Sequence, residues 1–278
     1  MSVIIAATDF SATANSAVDY ACQMAQAYGA SLHIVHSFVI PVTFGDTPMP
    51  LMPVDDGREI AEESMAELVT QLRQSYPGVT IEQVITYGDI TDSLEEYSGQ
   101  QKPWLIVVGN SSTSDTQFWL GSNLISELRD LPHTVLAVPP GTNFKPLKNI
   151  CLACDFKQVG NTFPAADIIA LAQQTKAQLH ILNVDHDNKH FGTEMPLNTE
   201  VIHNYLKTAA PQYHYIESKD LEEGISNFVT EKGMDWLVVI PHKHSFFDSL
   251  FKKSHTSAIV KMSHIPLLAL HEHQPASE

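Results

Sequence analysis

The sequence predicts an α/β fold of two tandem, doubly wound domains, each with a five-stranded parallel sheet flanked by helices. Two observations lead to this prediction. Four segments recur in the same order in both halves of the chain, which indicates that one unit has been duplicated. Within each half, apolar runs alternate with helical patterns. Such alternation is typical of parallel sheets with right-handed crossover helices.

The repeat sets the predicted domain boundaries. The four matching pairs are Thr8–Ser11 with Cys154–Lys157, Ala30–Val35 with Ala177–Leu182, Trp104–Val108 with Trp236–Ile240, and His133–Val138 with His264–Ala269. Their offset changes only by the length of a loop. We therefore expect a first domain at 1–140, a linker at 141–148, a second domain at 149–272 and a tail at 273–278.

In the first copy, each element follows from a local pattern. A strand is predicted at residues 2–8, because Val3–Ala7 is a continuous apolar run, as expected of a parallel strand covered on both faces. Asp9 and Ser11 offer helix-capping oxygens, an alanine-rich apolar stripe follows, and Gly29 ends that helix. Further strands are predicted at 31–38, 79–87, 104–109 and 133–138, and further helices at 57–75, 90–99 and 121–130.

The second copy repeats this pattern with the same order of elements. Its strands are predicted at 149–155, 178–184, 212–217, 236–241 and 265–270, and its helices at 162–175, 197–208, 221–231 and 253–262.

Composition and charge narrow the function classes. Of 278 residues, 44% are hydrophobic, which is enough for two cores, and the formal net charge is -16. An acidic chain of this kind is neither a general nucleic-acid binder nor suited to anionic membranes, since both partners attract basic surfaces. No apolar run approaches the roughly 20 residues of a membrane span, and no signal-peptide pattern precedes Val3. Together with three sparse cysteines, Cys22, Cys151 and Cys154, which we expect to be buried, this predicts a soluble, cytoplasmic protein.

Two motifs carry a resemblance to a known family. The opening strand is followed by Thr8-Asp9-Phe10-Ser11 and an alanine-rich helix, and a later strand ends in Gly109 before a polar loop and Gly121-Ser122. Over nearly the whole chain, once per copy, the sequence resembles the universal stress protein family. The resemblance implies the adenine-nucleotide alpha-hydrolase-like fold and two domains that pair within one chain, often through their last strands. It also implies ATP or another adenine nucleotide as ligand, with Mg²⁺, and a role in stress regulation.

The candidate site lies where the loops after the first and fourth strands meet, at the reversal of strand order. Asp9 could accept hydrogen bonds from adenine or ribose, or serve only as a helix cap. The helix opening at Gly121 could hold phosphates on its free N–H groups, or be a plain turn with a serine cap. The predicted ligand-contacting residues are Ala7, Thr8, Asp9, Ser37, Val108, Gly109, Asn110, Ser112, Gly121, Ser122 and Asn123.

The sequence departs from the family's nucleotide pattern, Gly-x2-Gly-x9-Gly followed by Ser or Thr. In the first copy Ser112 replaces the second glycine, and the spacing to Gly121 is one residue short. In the second copy Pro241 replaces the first glycine, and Lys253-Ser254 stands in place of Gly-Ser. We therefore expect the second copy to be a degenerate, structural partner of the first.

The sequence is compatible with three functions. The leading one is a nucleotide-binding regulator, and the alternative is an interaction scaffold or a binder of another small molecule. No nucleophile–base arrangement or Walker lysine motif is present, so an enzyme, with slow ATP hydrolysis, is the minority reading. The cluster Asp185, His186, Asp187 and His190 lacks a zinc-site frame, and no metal site is predicted. A homodimer of such chains stays compatible with the sequence.

Overall fold

A computed structural model describes residues 2–39, 54–110, 131, 133–154, 163–185, 195–240 and 264–271. These residues form two compact units. The first unit holds the described residues up to 133 together with 140–144. The second holds 134–139 and all described residues from 145 onward.

In the first unit, four parallel strands stand in the order β3-β2-β1-β4. They are β1 (Val3–Ala7), β2 (Ser31–Phe38), β3 (Ile81–Tyr87) and β4 (Leu105–Gly109), and the helices are α1 (Ala12–Tyr28), α2 (Val54–Ser75) and α3 (Ile90–Gln101). The chain runs outward from β1 through β2 to β3 and returns to the other side of β1 for β4. Strand order therefore reverses at β1.

Helix α1 shows how local sequence forms an element that the core then holds. Ser11 caps its start by accepting a hydrogen bond from the Ala14 amide, and Gly29 ends it in the left-handed conformation with φ 64°. The stripe of small and apolar residues between these ends is buried, and it includes Ala17, Val18, Ala21, Cys22 and Ala25. Small side chains allow the helix to lie close to the sheet.

In the second unit, six strands stand in the order β5-β10-β9-β6-β7-β8. They are β5 (Val135–Val138), β6 (Asn149–Ala153), β7 (Gln178–Asp185), β8 (Gln212–Glu217), β9 (Trp236–Val239) and β10 (Leu267–Ala269), and the helices are α4 (Ala165–Thr175), α5 (Met195–Leu206) and α6 (Leu221–Glu231). The strands β6 to β10 pair in parallel, whereas β5 pairs antiparallel with β10, Leu268 lying opposite Leu136.

The predicted α/β class, with a mostly parallel sheet flanked by helices, is confirmed. The five-stranded parallel sheet expected in the first domain differs in one strand: its fifth strand, predicted at 133–138, is β5, which lies in the second unit and pairs antiparallel with β10. The described strands and helices occur in the predicted order, and their ends agree with the predicted ends to within three residues. The two helices predicted at 121–130 and 253–262 lie outside the described residues. Over the part of the chain that is described, no helix has the length and apolar character needed to cross a membrane.

Candidate functional site

The carboxyl ends of β1 and β4 lie side by side in the first unit. The two strands pair in parallel, with Ala6 opposite Val107. Ala7 and Val108 are the next residues on each strand, so the loops that begin at Thr8 and Asn110 leave the sheet at the same edge. Strand order reverses here, and in doubly wound folds such a reversal is where ligands usually bind.

Thr8 anchors a hydrogen-bonded turn at this edge. Its hydroxyl donates to Asn15 Oδ1 at 3.0 Å and accepts from the Phe10 amide at 2.9 Å. Asn15 Nδ2 in turn donates to the Phe10 carbonyl at 3.1 Å. These bonds hold Phe10 at φ 63°, a left-handed conformation that costs a residue with a Cβ about 1 kcal/mol or more. These bonds stabilise the turn without a ligand.

Asp9 acts two residues before the helix cap. Its Oδ1 accepts a hydrogen bond from the Ser11 amide at 2.9 Å, while Ser11 Oγ accepts from the Ala14 amide at 3.2 Å. The prediction that both side chains supply capping oxygens is thus corrected in one respect: Ser11 alone is the N-cap of α1. Asp9 closes the turn that precedes α1, and its side chain is only partly buried.

His36 is a member of this site that sequence reasoning missed. It is 8% exposed, and its Nδ1 donates to the Thr8 carbonyl at 2.8 Å. Its ring lies 4.3 Å from the Phe10 ring, centroid to centroid. Burial lowers the pKa of His36 and outweighs the Thr8 carbonyl and the Asp9 carboxylate, which both raise it. The only available signal was a histidine inside an apolar strand, next to the predicted contact residue Ser37.

Ser37 is tied into the protein itself. It is 1% exposed, and its hydroxyl donates to the Gly88 carbonyl at 2.6 Å. The Gly88 amide returns a hydrogen bond to the Phe38 carbonyl at 3.0 Å. Ser37 therefore joins the end of β2 to the turn after β3.

Gly109 faces the first turn of α1. A Cβ at this position would lie 3.0 Å from the Thr13 carbonyl oxygen and 3.1 Å from its carbon. A side chain here would require α1 to shift by a few tenths of an ångström, so close packing of α1 on β4 favours a glycine at this position without any ligand. The neighbouring Asn110 is 6% exposed.

The other predicted site residues lie outside the described residues. They are Ser112, Gly121, Ser122 and Asn123, and with them Asp155, Pro241 and Lys253 of the second copy. Within the described residues, the structure brings together Ala7, Thr8, Asp9, Val108, Gly109 and Asn110 at one edge of the first sheet.

The second copy repeats the backbone connection at this edge. The Cys154 amide donates to the Leu182 carbonyl at 2.9 Å, as the Thr8 amide donates to the Val35 carbonyl at 3.0 Å. Asn183 Nδ2 donates to the Cys154 carbonyl at 2.9 Å. The two copies thus share a framework but differ in the side chains that build it.

The described residues include all three cysteines and the first residue of the Asp–His cluster noted in the sequence. All three cysteines are free, and burial raises the pKa of both Cys22 and Cys151 to about 12. Cys154 is partly exposed, so the prediction that it is buried is wrong. No group of three or more His, Cys, Asp or Glu side chains among the described residues could hold a metal ion, and the predicted cluster continues from Asp185 into residues outside them.

Comparison with known proteins gives a consistent result. The model of the universal stress protein family matches residues 1–139. The chain is similar to the structure of a universal stress protein from Archaeoglobus fulgidus, with 17% identity over 97% of this chain and 98% of that one and a TM-score of 0.68. A putative universal stress protein from Pseudomonas aeruginosa is 14% identical over 97% of this chain and 93% of that one, with a TM-score of 0.60.

A shorter structure aligns with half of the chain. It is a universal stress protein in complex with cAMP, 24% identical over 50% of this chain and 98% of that one, with a TM-score of 0.38. No curated protein matches the sequence of this chain.

Proposed function

Because this chain belongs to the universal stress protein family, we propose that its first half binds an adenine nucleotide and that the protein regulates a stress response rather than catalysing a reaction. The observation that carries this proposal is the turn at Thr8–Ser11, which is held at the switch point of the sheet beside the end of β4. A prepared, partly exposed carboxylate at such an edge suits recognition of a sugar hydroxyl or a base amine.

Most of the predicted contact residues have a role in this proposal. Ala7, Thr8 and Val108 would line the adenosine end, and Asp9 would accept a hydrogen bond from ribose or adenine. The phosphates would lie toward Asn110, Ser112 and the predicted helix start at 121–123, where backbone N–H groups favour anions. No Lys or Arg occurs between Lys102 and Arg129, so charge neutralisation would rely on Mg²⁺.

We propose that the second copy is the built-in partner of the first. The support is that β5, from the first half of the sequence, pairs with β10 in the second unit. The proposed boundaries remain 1–140, 141–148 and 149–272. Pro241 has no N–H to offer and Lys253 replaces a glycine, so no phosphate site is proposed in this copy.

Calorimetric titration of the full chain tests the proposal. We expect heat on adding ATP, larger with Mg²⁺ present, and a loss of that heat in Gly121→Val, where the added bulk blocks close approach of the backbone to a phosphate. Lys253→Val is the matched control in the second copy and should bind as the wild type does. If millimolar ATP, ADP and cAMP all give neither heat nor a thermal shift, nucleotide binding is rejected.

The alternative, an interaction scaffold or a binder of another small molecule, has specific observations in its favour. The close approach of Thr13 accounts for Gly109, and the hydrogen bond to the Gly88 carbonyl accounts for the Ser37 hydroxyl, so neither residue needs a nucleotide to explain it. Native mass spectrometry of freshly purified protein separates the two functions. A co-purifying adenine nucleotide supports the first, and a different small-molecule mass or the bare chain supports the second.

A further inference from the structure

We propose that His36 is a positioning residue for the candidate nucleotide site, and that Asn183 holds the carbonyl of Cys154 at the equivalent point of the second copy. By donating a hydrogen bond to the Thr8 carbonyl, His36 keeps the turn at Thr8–Ser11, and with it Asp9, in the conformation that a nucleotide would meet. The link to nucleotide binding rests on the proposed function, whereas the effect on the turn does not.

The peptide groups of Thr8 are tied to β2 on both sides. Its amide donates to the Val35 carbonyl at 3.0 Å, and its carbonyl accepts from His36 Nδ1 at 2.8 Å. Thr8 is 1% exposed, so water cannot replace the second bond. The two bonds fix the direction in which the chain leaves β1.

The second copy provides an independent instance of the same device. Ala7 lies opposite Val35 in the first copy, and Ala153 lies opposite Leu182 in the second. His36 and Asn183 are the next residues on β2 and β7, and each donates a side-chain N–H to the carbonyl one residue beyond the first strand of its own copy, at 2.8 and 2.9 Å. The two copies therefore share a side-chain N–H donor at this position, but they do not share an imidazole ring.

The chemistry of the bond makes a donor, rather than a charge, the essential feature. A carbonyl oxygen only accepts, so neutral His36 must carry its proton on Nδ1. Protonation of the ring leaves that N–H in place, and the bond survives it. The Phe10 ring and the Asp9 carboxylate face His36, and neither can donate to the Thr8 carbonyl in its place.

Loss of the donor has a local consequence. The buried Thr8 carbonyl would be left without a partner, and an unsatisfied buried group is more costly than the net value of the bond. The turn would relieve this by opening toward water, which would release the amides of Phe10 and Ser11 from Thr8 Oγ1 and Asp9 Oδ1. Hydrogen exchange at 8–15 reports this opening directly.

Three variants of the full-length chain test the proposal: His36→Ala, His36→Asn and Asn183→Ala. Without nucleotide, we expect His36→Ala to raise amide exchange at 8–15 about tenfold, and His36→Asn to exchange as the wild type does. Asn183→Ala should leave 8–15 unchanged. In titrations with ATP, we expect binding to weaken about tenfold in His36→Ala only.

The outcomes separate the two proposals. Wild-type exchange in His36→Ala, or fast exchange in His36→Asn, overturns the positioning role, the latter because the ring would then matter more than the donor. A wild-type protein that binds no adenine nucleotide rejects the proposed function, while the exchange data still decide what His36 does. Should His36→Ala not fold, His36→Asn tests the role alone: exchange at 8–15 as in the wild type supports it.

Discussion

Ser11 and Asp9 each accept a hydrogen bond from a different backbone amide at the start of α1. Ser11 satisfies a free amide of the first helical turn, and Asp9 satisfies the amide of Ser11 itself. Both roles were within reach of sequence reasoning, because capping partners lie two or three residues apart. Which residue takes which role could not be predicted, because Asp and Ser are equally good caps. Only the backbone path through Phe10 decides which of the two side chains reaches the first turn of the helix.

We predict that Ser11→Ala lowers the free energy of unfolding by about 1 kcal/mol, since the Ala14 amide loses its acceptor. Ser11→Gly should cost only a few tenths of that amount, because glycine leaves the helix end open to water. Urea unfolding followed by circular dichroism measures both. Equal losses in the two variants would mean that the side-chain cap is not the cause.

His36 and Asn15 show what a sequence cannot reveal at this scale. His36 meets Thr8 across 28 positions of sequence, and Asn15 meets Thr8 across 7. Neither spacing is a local motif, and an isolated histidine in a strand is usually a core residue. Their function depends on β2 lying beside β1, which is a property of the fold.

At the scale of elements, the contact between α1 and β4 shapes the edge where the candidate site lies. The Thr13 carbonyl approaches Gly109 so closely that an added methyl group would lie 3.0 Å from its oxygen, and α1 would have to shift by a few tenths of an ångström. A flexible side chain could yield to this contact, but a helix backbone cannot move without shifting its packed face.

We predict that Gly109→Ala lowers the free energy of unfolding by about 1 to 3 kcal/mol, as overpacking usually does. Gly99→Ala is the matched control: Gly99 lies in α3 with nothing within 4 Å of its added Cβ. That variant should be neutral or more stable by up to about 1 kcal/mol, because alanine favours helices. Thermal melts of both variants give the answer, and a destabilised Gly99→Ala together with a neutral Gly109→Ala would contradict the packing argument.

At the scale of the whole molecule, buried and partly buried histidines link stability to pH. Among the described residues the pKa is lowered for five histidines, with desolvation the largest cause in each case: His33, His36, His133, His180 and His214. Both copies place one at the same position of the second strand. His33 Nδ1 lies 2.8 Å from the Tyr97 hydroxyl, and His180 Nδ1 lies 2.9 Å from His214 Nε2.

We predict that the protein loses stability as pH falls below about 6.5. Below this pH the histidines of the unfolded chain bind protons, whereas those of the folded chain, whose pKa values are lowered, remain neutral. Because the unfolded state binds more protons, acid favours unfolding. The loss should continue until pH passes below the folded pKa values. Urea midpoints from pH 7.5 to 5 measure it, and His36→Asn should show a shallower decline because it removes one of these groups. A wild-type midpoint that rises toward pH 5 would refute this account.

The pairing of β5 with β10 leads to a prediction about fragments. Residues 145–278 alone would lack β5, and the edge of β10, whose residues are buried in the full chain, would be open. An open apolar edge pairs readily with another chain. We expect this fragment to self-associate in size-exclusion chromatography with light scattering, and a fragment beginning at 134 to do so less. Monomeric behaviour of both would show that β5 does not protect this edge.

The sequence by itself determined the alternation of strands and helices, the duplication, and the placement of Asp9 and Gly109 at the ends of β1 and β4. These follow from patterns a few residues long: strands covered on both faces must be apolar throughout, and helices need caps and one apolar stripe. Four contacts were decided only by the tertiary structure. They are the close packing of Thr13 on Gly109, the hydrogen bonds from Ser37 to Gly88 and from His36 to Thr8, and the pairing of β5 with β10. Each of these depends on which distant segments become neighbours, and long-range contacts leave no periodic trace in the chain.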